Sequence, residues 1–380
     1  MGCALSDGCC SEQAAGRADG GSCEGSRADG VDGVGATAAD CKPSSASSSP
    51  IISPDQLREF GFDASQFSKG LMCGLYLRMV QQSGIQQHFQ MASSTIQSYA
   101  EKISDCFSDV PYHNFLHAFS TTQSAYSLVT KSGALSTLLG PTECLAMFAA
   151  ALAHDCDHPG NNNAWEVANR TALAVRYNDV SVLENHHAAV GLRAMEAKES
   201  DMFGMVPAEQ AGELRKTYLH AILQTDMARH FGMVDGLEAM NKVEADRFDR
   251  GKLEDRRNVV GVILHAVDIS NPLLPKFALC RAWAQRISEE FRAQYDNELK
   301  AGLPATKMWA GIDAPLGFCK SQIGFIDMIV APLWKNVTTL FPDVQTEDNL
   351  MSGLRSNRRR WILLVEEAED ASREQMPAST

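Results

Sequence analysis

Residues 142–158, TECLAMFAAALAHDCDH, run apolar for most of their length and then place two histidines and two aspartates in five consecutive positions. An apolar stretch this long, free of Gly and Pro until Pro159, reads as a buried helix, with Thr142 or the preceding Pro141 marking its start. The polar cluster of His154, Asp155, Asp157 and His158 therefore belongs at the C-terminal end of a core helix. On the residues alone it is open to two readings, a capped or solvated turn and a metal site.

The surrounding chain reads the same way. Helices are predicted over HAILQTDMARHF (220–231), RNVVGVILHAVDIS (257–270), RAWAQRISEEFRAQYDNELK (281–300) and SQIGFIDMIVAPLWKNVTTLF (321–341), with Gly and Pro in the gaps. Two-residue alternation is scarce, no βαβ rhythm appears and no internal repeat is visible, so the body is expected to be an all-α, multi-helix domain. Its 380 residues, 44% hydrophobic and 21% charged, can bury a large core. A formal net charge of −13 argues against a sequence-independent nucleic-acid binder and leaves a small anionic substrate open. No run of 18 or more apolar residues appears, so no segment is expected to span a membrane.

Composition changes near residue 50. Residues 1–50 are rich in Gly, Ala, Ser and Asp and lack any aromatic residue, the signature of a disordered tail, and 51–380 is the folded domain. Five of the eleven cysteines (Cys3, Cys9, Cys10, Cys23 and Cys41) lie in that tail, and the rest are scattered singly, which suggests an intracellular protein without a disulfide framework. MGCALS fits a myristoylation signal at Gly2 with Ser6 at the favoured position, and Cys3 beside it is a palmitoylation candidate. Two acyl chains make a stable anchor where one does not, so the expected location is peripheral, at the cytoplasmic face of a membrane, and otherwise cytosolic. Fifty residues are few for a sensor domain, so regulation is expected through the tail, a partner or homodimerisation.

The histidines recur in a pattern. His113 and His117 are four apart, His154 and His158 are four apart, His186 and His187 are adjacent, and His265 precedes Asp268 by three. Spacings of three and four put side chains on one face of a helix, and several helices presenting such faces are how bundles build metal sites.

Four stretches carry these residues in order: YHNFLHA (112–118), AHDCDHPG (153–160), YNDVSVLENHH (177–187) and LHAVDISNP (264–272). With TDMARH (225–230), SQIGFID (321–327) and the pair Asn357 and Trp361, they resemble the class I 3′,5′-cyclic nucleotide phosphodiesterases, a branch of the HD-type metal phosphohydrolases, over about residues 55–365. The resemblance implies an HD-domain-like catalytic domain that hydrolyses a cyclic nucleotide to the 5′-monophosphate. It implies His117, His154, Asp155 and Asp268 as metal ligands, with His158 and Glu184 orienting ligands or bound water. Two imidazoles and two carboxylates suit Zn²⁺, and Asp155 can bridge to a harder Mg²⁺ or Mn²⁺. Two ions about 3.5–4 Å apart can hold a hydroxide between them and stabilise phosphoryl oxygens during in-line displacement.

The same resemblance makes His113, with Asn114 next to it, the general acid for the departing ribose oxygen. Tyr112, Met227, Asn271, Gln322 and Phe325 would meet the nucleotide, Gln322 through its amide and Phe325 by stacking on the purine. Asn271 leans the base preference to cAMP over cGMP, with dual specificity open. Ser120, where the family usually has Asp, Tyr295, where it often has Gly, and NNNAW (161–165) depart from the pattern without removing a proposed ligand. Arg358–Arg360 reads as a solvated helix face. Two other readings stay open: another HD-type nucleotide phosphohydrolase, and a non-catalytic cyclic-nucleotide-binding scaffold. The first has no reason to keep Gln322 with Phe325, and the second has no reason to keep every ligand and the acid.

Overall fold

In the computed structural model, residues 52–243, 248–344 and 349–374 are described. The tail, with Gly2, Cys3 and the other tail cysteines, lies outside the described residues. Among those described, every regular element is helical, as the sequence predicts, and all six described cysteines are free.

The first four helices are α1 (Pro54–Arg58), α2 (Lys69–Gln82), α3 (Ile85–His88) and α4 (Ser93–Asp105). They are followed by α5 (Phe115–Lys131), α6 (Gly133–Leu138) and α7 (Pro141–Ala153). Helix α7 is the centre of the domain: every residue from Glu143 to Ala153 is buried, and α5 packs along it. Its start is set by Pro141 in the first turn, where a missing N–H costs nothing, and by Glu143, whose side chain accepts from the Gly140 amide at 3.0 Å. It stops earlier than predicted. His154 is the cap and residues 155–157 form a turn, so the polar cluster leaves the helix instead of lying along it.

Three short or medium helices, α8 (Asn163–Ala168), α9 (Ala172–Arg176) and α10 (Val182–Arg193), lead to α11 (Ala208–Leu223), which packs on α7 and α10. The single helix predicted over 220–231 is two. Helix α11 ends at Leu223, the chain turns at 224–226, a 3-10 turn covers Met227–Arg229, and α12 runs His230–Asn241. Asp226 makes the break: its Oδ1 accepts from the Ala228 amide at 2.8 Å and its Oδ2 accepts from Ser181 Oγ at 2.7 Å, offering the backbone a turn in place of a helix.

Helices α13 (Leu253–Asp268) and α14 (Phe277–Lys300) each begin four residues before the predicted segments; α14 ends where predicted, and α13 ends at Asp268, two residues early. Helix α13 packs on α5, α7 and α11. The segment predicted as one helix over 321–341 is α15 (Pro315–Phe325), a π turn (Ile326–Val330) and α16 (Ala331–Leu340). Pro332 has no N–H to donate and its ring crowds the preceding turn, and the widened π turn accommodates it. By length and composition the run Pro315–Leu340 is apolar enough to cross a membrane, which counting unbroken apolar residues did not show. Here it turns Ile326, Val330, Leu333 and Trp334 into the core, and Trp334 Nε1 donates to Ala266 O at 3.1 Å.

Helix α17 (Leu350–Glu374) closes over α15 and the Asn271–Leu273 turn. The buried Asn357 amide donates to Pro272 O at 2.9 Å and Leu274 O at 2.8 Å, and Trp361 is fully buried. Of the Arg358–Arg360 cluster, Arg358 pairs with Asp327 at the surface and Arg360 lies 5.6 Å from the centre of the Phe277 ring.

Candidate metal centre and active site

Three helix ends carry four donor atoms to one point. His117 lies in the first turn of α5, His154 and Asp155 end α7, and Asp268 is the last residue of α13. His117 Nε2 is 2.9 Å from Asp268 Oδ1 and 3.3 Å from Asp155 Oδ2, and His154 Nε2 is 3.0 Å and 3.1 Å from the same oxygens. The two imidazole nitrogens are 3.3 Å apart.

Hydrogen bonding does not account for this arrangement. His154 Nδ1 sits 2.8 Å from Ala151 O and donates to it, so a neutral ring aims a lone pair from Nε2 at another imidazole and two carboxylates. Asp155 Oδ2 is buried with no hydrogen-bond partner. Such a set demands positive charge. Burial pulls the His154 imidazolium down, but Asp155 and Asp268 outweigh it and hold the group well above its ordinary range. Burial likewise favours neutral carboxyls at Asp155 and Asp268, yet the histidines, His154 foremost, keep both well below the usual carboxylate range.

A divalent cation held by these four residues would supply that charge. Metal–ligand bonds of about 2.0–2.2 Å set neighbouring donors about 2.9–3.4 Å apart, which is the spacing of these atoms. The negative C-terminal ends of α7 and α13 also favour a cation there. His117, His154, Asp155 and Asp268 are thus brought together and fit a divalent ion.

Next to this centre a second group forms around Glu290, a residue sequence reading missed. Buried on α14, Glu290 accepts from the amides of Tyr112 at 2.9 Å and His113 at 3.2 Å, and its Oε1 makes a short contact with His113 Nδ1. Nδ1 is thereby engaged, which leaves Nε2 as the other ring nitrogen of His113. The His113 ring stacks on His158 with centroids 4.0 Å apart, and His158 stacks on His187 at 5.5 Å. Burial opposes the His113 charge, but Asp155 and Glu290 outweigh it and raise the imidazolium above its ordinary range. Its neighbours go the other way: burial and the His113 charge hold His158 well below, and burial pushes His187 down to about 4.

Asn114 has a structural task. It is the N-cap of α5, its Oδ1 accepting from the amides of Leu116 at 3.0 Å and His117 at 3.3 Å while its Nδ2 donates to Val110 O at 2.8 Å. That one side chain fixes His113 and His117 on either side of it. His113 therefore precedes the helix, and helical spacing does not bring it to His117.

The crowded 154–158 stretch divides its charges. Asp157, at φ 60°, turns outward to His186, whose Nε2 is 2.8 Å from its Oδ2, while His158 faces His113. Glu184 is buried, and Asn163 Nδ2 donates to both of its oxygens at 3.1 and 3.0 Å. Burial and Asp226 raise the Glu184 carboxyl to about 7. The departing NNNAW segment thus supports the site through Asn163. His265 does not share the Asp268 direction. It pairs with His230 at 3.0 Å inside the core, with burial pushing it down to about 4.

Of the nucleotide-contact candidates, Tyr112 lies over His117 at 4.5 Å between centroids, and its Oη accepts from Asn271 Nδ2 at 2.8 Å. Gln322 is buried on α15 with its Nε2 3.4 Å from Ser321 Oγ, and Phe325 is half-buried one turn on. Met227 is 43% exposed on the 3-10 turn beside Asp226.

An all-helical domain whose helix ends converge two imidazoles and two carboxylates has the build of the HD-type metal phosphohydrolases. More narrowly, the chain belongs to the 3′,5′-cyclic nucleotide phosphodiesterase family, whose model matches residues 112–349. It is 32% identical over 327 residues to the high affinity cGMP-specific 3′,5′-cyclic phosphodiesterase 9A of Mus musculus, covering 85% of this chain and 59% of that protein. It is 34% identical over 295 residues to the 3′,5′-cyclic-AMP phosphodiesterase 4C of Rattus norvegicus, covering 76% and 53%. The matches thus span little more than half the length of these relatives. The phosphodiesterase domain of the RhoPDE fusion protein from the choanoflagellate Salpingoeca rosetta superposes with a TM-score of 0.78 at 28% identity, over 83% of this chain and 97% of that one.

Proposed function

We propose that this chain hydrolyses a 3′,5′-cyclic nucleotide to the 5′-monophosphate. The observation that carries the reading is the Glu290–His113 pair set beside the four-donor centre. His117, His154, Asp155 and Asp268 would hold the first ion, for which two imidazoles favour Zn²⁺, and Asp155 would share a second, Mg²⁺ or Mn²⁺. When bound, the ions supply positive charge for the phosphoryl oxygens and lower the pKa of water. The P–O3′ bond breaks as water oxygen joins phosphorus. His113, its Nδ1 held by Glu290, gives the Nε2 proton to the departing 3′ oxygen. Tyr112 and Trp283 wall His117, their rings 4.5 Å and 5.9 Å from it, and limit the water that reaches it.

The base reading is cAMP favoured, with cGMP accepted. Asn271 spends its Nδ2 on Tyr112, which leaves Oδ1 as an acceptor suited to the adenine amino group. Gln322 has one long contact only, so its amide can turn to serve either purine. Product chromatography tests the whole reading: 5′-AMP and 5′-GMP should appear with a kcat/KM ratio favouring cAMP. 3′-Monophosphates, or turnover of other nucleotides only, would overturn it.

The Gly2 and Cys3 motif supports a further reading, acylation that places the enzyme at a membrane surface, where it would degrade cyclic nucleotide locally. Fractionation of Gly2→Ala beside the natural chain tests this, and an unchanged distribution would refute it. Self-association as a homodimer is tested by sedimentation of the purified chain.

A further inference from the structure

Helix α17 buries one side and leaves a patterned one exposed. Leu354, Asn357 and Trp361 face inward, and Leu364 and Val365 pack on the core. Arg358 and Arg360 are taken up on the flanks by Asp327 and the Phe277 ring. Helical spacing puts Arg355, Arg359, Ile362, Glu366 and Asp370 together on the opposite side, with Leu363 at its edge. The four charged residues are exposed, and Ile362 and Leu363 are half-buried.

Nothing within one copy uses this face. Among the described residues, Arg355, Arg359 and Glu366 make no ion pair and no side-chain hydrogen bond. Arg355 and Arg359 lie four apart, as do Glu366 and Asp370, and like charges at that spacing repel along a helix. The order along the helix is basic, apolar, acidic, which is its own complement when reversed.

A second copy turned end for end about a point between Ile362 and Leu363 sets Arg359 opposite the second copy's Glu366. The same turn sets Arg355 opposite the second copy's Asp370. Because the operation is two-fold, each pairing occurs twice, and the apolar residues meet at the axis. Antiparallel helices that cross near 20° with axes about 8–10 Å apart bring such side chains within reach. A parallel pairing would instead set Arg355 on Arg355 and Glu366 on Glu366.

We propose that this face of α17 is an interface for a second copy of this chain, antiparallel and isologous, with Ile362 and Leu363 at its centre and ion pairs on either side. One helix pair is a small contact, so association is weak and reversible. Exposed ion pairs are screened by salt, so it should weaken from 0.1 M, where charges act over about 10 Å, to 1 M, where they act over about 3 Å. None of these residues has a part in the proposed hydrolysis, and the interface stands or falls without it.

Sedimentation equilibrium of the full chain tests this, in dithiothreitol so that the tail thiols do not link copies. The natural chain should dimerise, and less so at high salt. Arg359→Glu and Glu366→Arg each place like charges opposite one another twice, and each should raise the dissociation constant about tenfold or more. Both positions are exposed, and thermal melts check that the variants fold. An equimolar mixture of the two variants should dimerise within about threefold of the natural chain, as should the variant carrying both substitutions. The mixture recovers only if positions 359 and 366 face each other across the two-fold. A natural chain that stays monomeric, a dimer indifferent to both substitutions, or losses that neither the mixture nor the double variant restores would overturn the interface.

Discussion

Replacing Glu290 with glutamine tests how the acid is held. Glutamine has the same shape and keeps a carbonyl for the Tyr112 and His113 amides, which Glu290 meets at 2.9 and 3.2 Å, but it loses the charge facing His113 Nδ1. A hydrogen bond to a charged partner is worth about 1.5 kcal/mol more than a neutral one, and 1.36 kcal/mol corresponds to one pKa unit, so the His113 imidazolium should fall by about one unit. Because the acid must be protonated to act, activity declines as pH rises through that pKa. Glu290→Gln should therefore move the alkaline limb of the kcat profile about one unit lower and cost about tenfold on that limb, with KM little changed. A p-nitrophenyl phosphodiester, whose leaving group needs no proton, should be cleaved by the variant and the natural chain at similar rates. An unmoved alkaline limb, or equal losses on both substrates, would refute the assignment of Glu290 to His113.

Three further outcomes are expected. Burial raises the Glu184 carboxyl from 4.5 to about 7, so the unfolded chain sheds its proton first as pH rises through that window. The chelator-treated protein should lose about 3 kcal/mol of stability between those values, Glu184→Gln should remove that slope in melts from pH 4 to 8, and parallel curves would refute it. A Cβ at Gly191 would meet Tyr218 Oη at 2.1 Å and Ala153 Cβ at 2.8 Å, so Gly191→Ala should cost about 1–3 kcal/mol in denaturant titration, and an unchanged midpoint would contradict that packing. Asn357→Leu leaves the Pro272 and Leu274 carbonyls unpaired, at about 1–3 kcal/mol each, and should raise KM by loosening Asn271; an unchanged melt and KM would count against this.

The helical class was legible in the sequence, and so was the grouping of His117, His154, Asp155 and Asp268, though for a partly mistaken reason. Helical spacing was taken to align His113 with His117 and His154 with His158. In the fold Asn114 caps the helix between the first pair, and the second pair straddles a turn beyond α7. The donors meet because three helix ends converge, a tertiary fact that the ordered motifs carry and periodicity does not. Glu290 and Asn163 were missed because their contacts lie outside any one motif: Glu290 reaches His113 from 177 residues away. A sign was present, since Glu290 shares a face of α14 with buried Trp283 and Gln294. The break at Asp226 and the π turn before Pro332 depend on side-chain and proline chemistry that a scan for apolar periodicity passes over.

Initial rates on cAMP and cGMP with Mg²⁺, for the natural chain, His113→Ala and Asp268→Ala together with their bound-metal content, test the central claim most directly. The account predicts turnover of both nucleotides, faster kcat/KM on cAMP, near-complete loss in both variants, and metal loss in Asp268→Ala alone. A folded, metal-loaded chain that turns over neither nucleotide, or a His113→Ala variant as active as the natural chain, would contradict it.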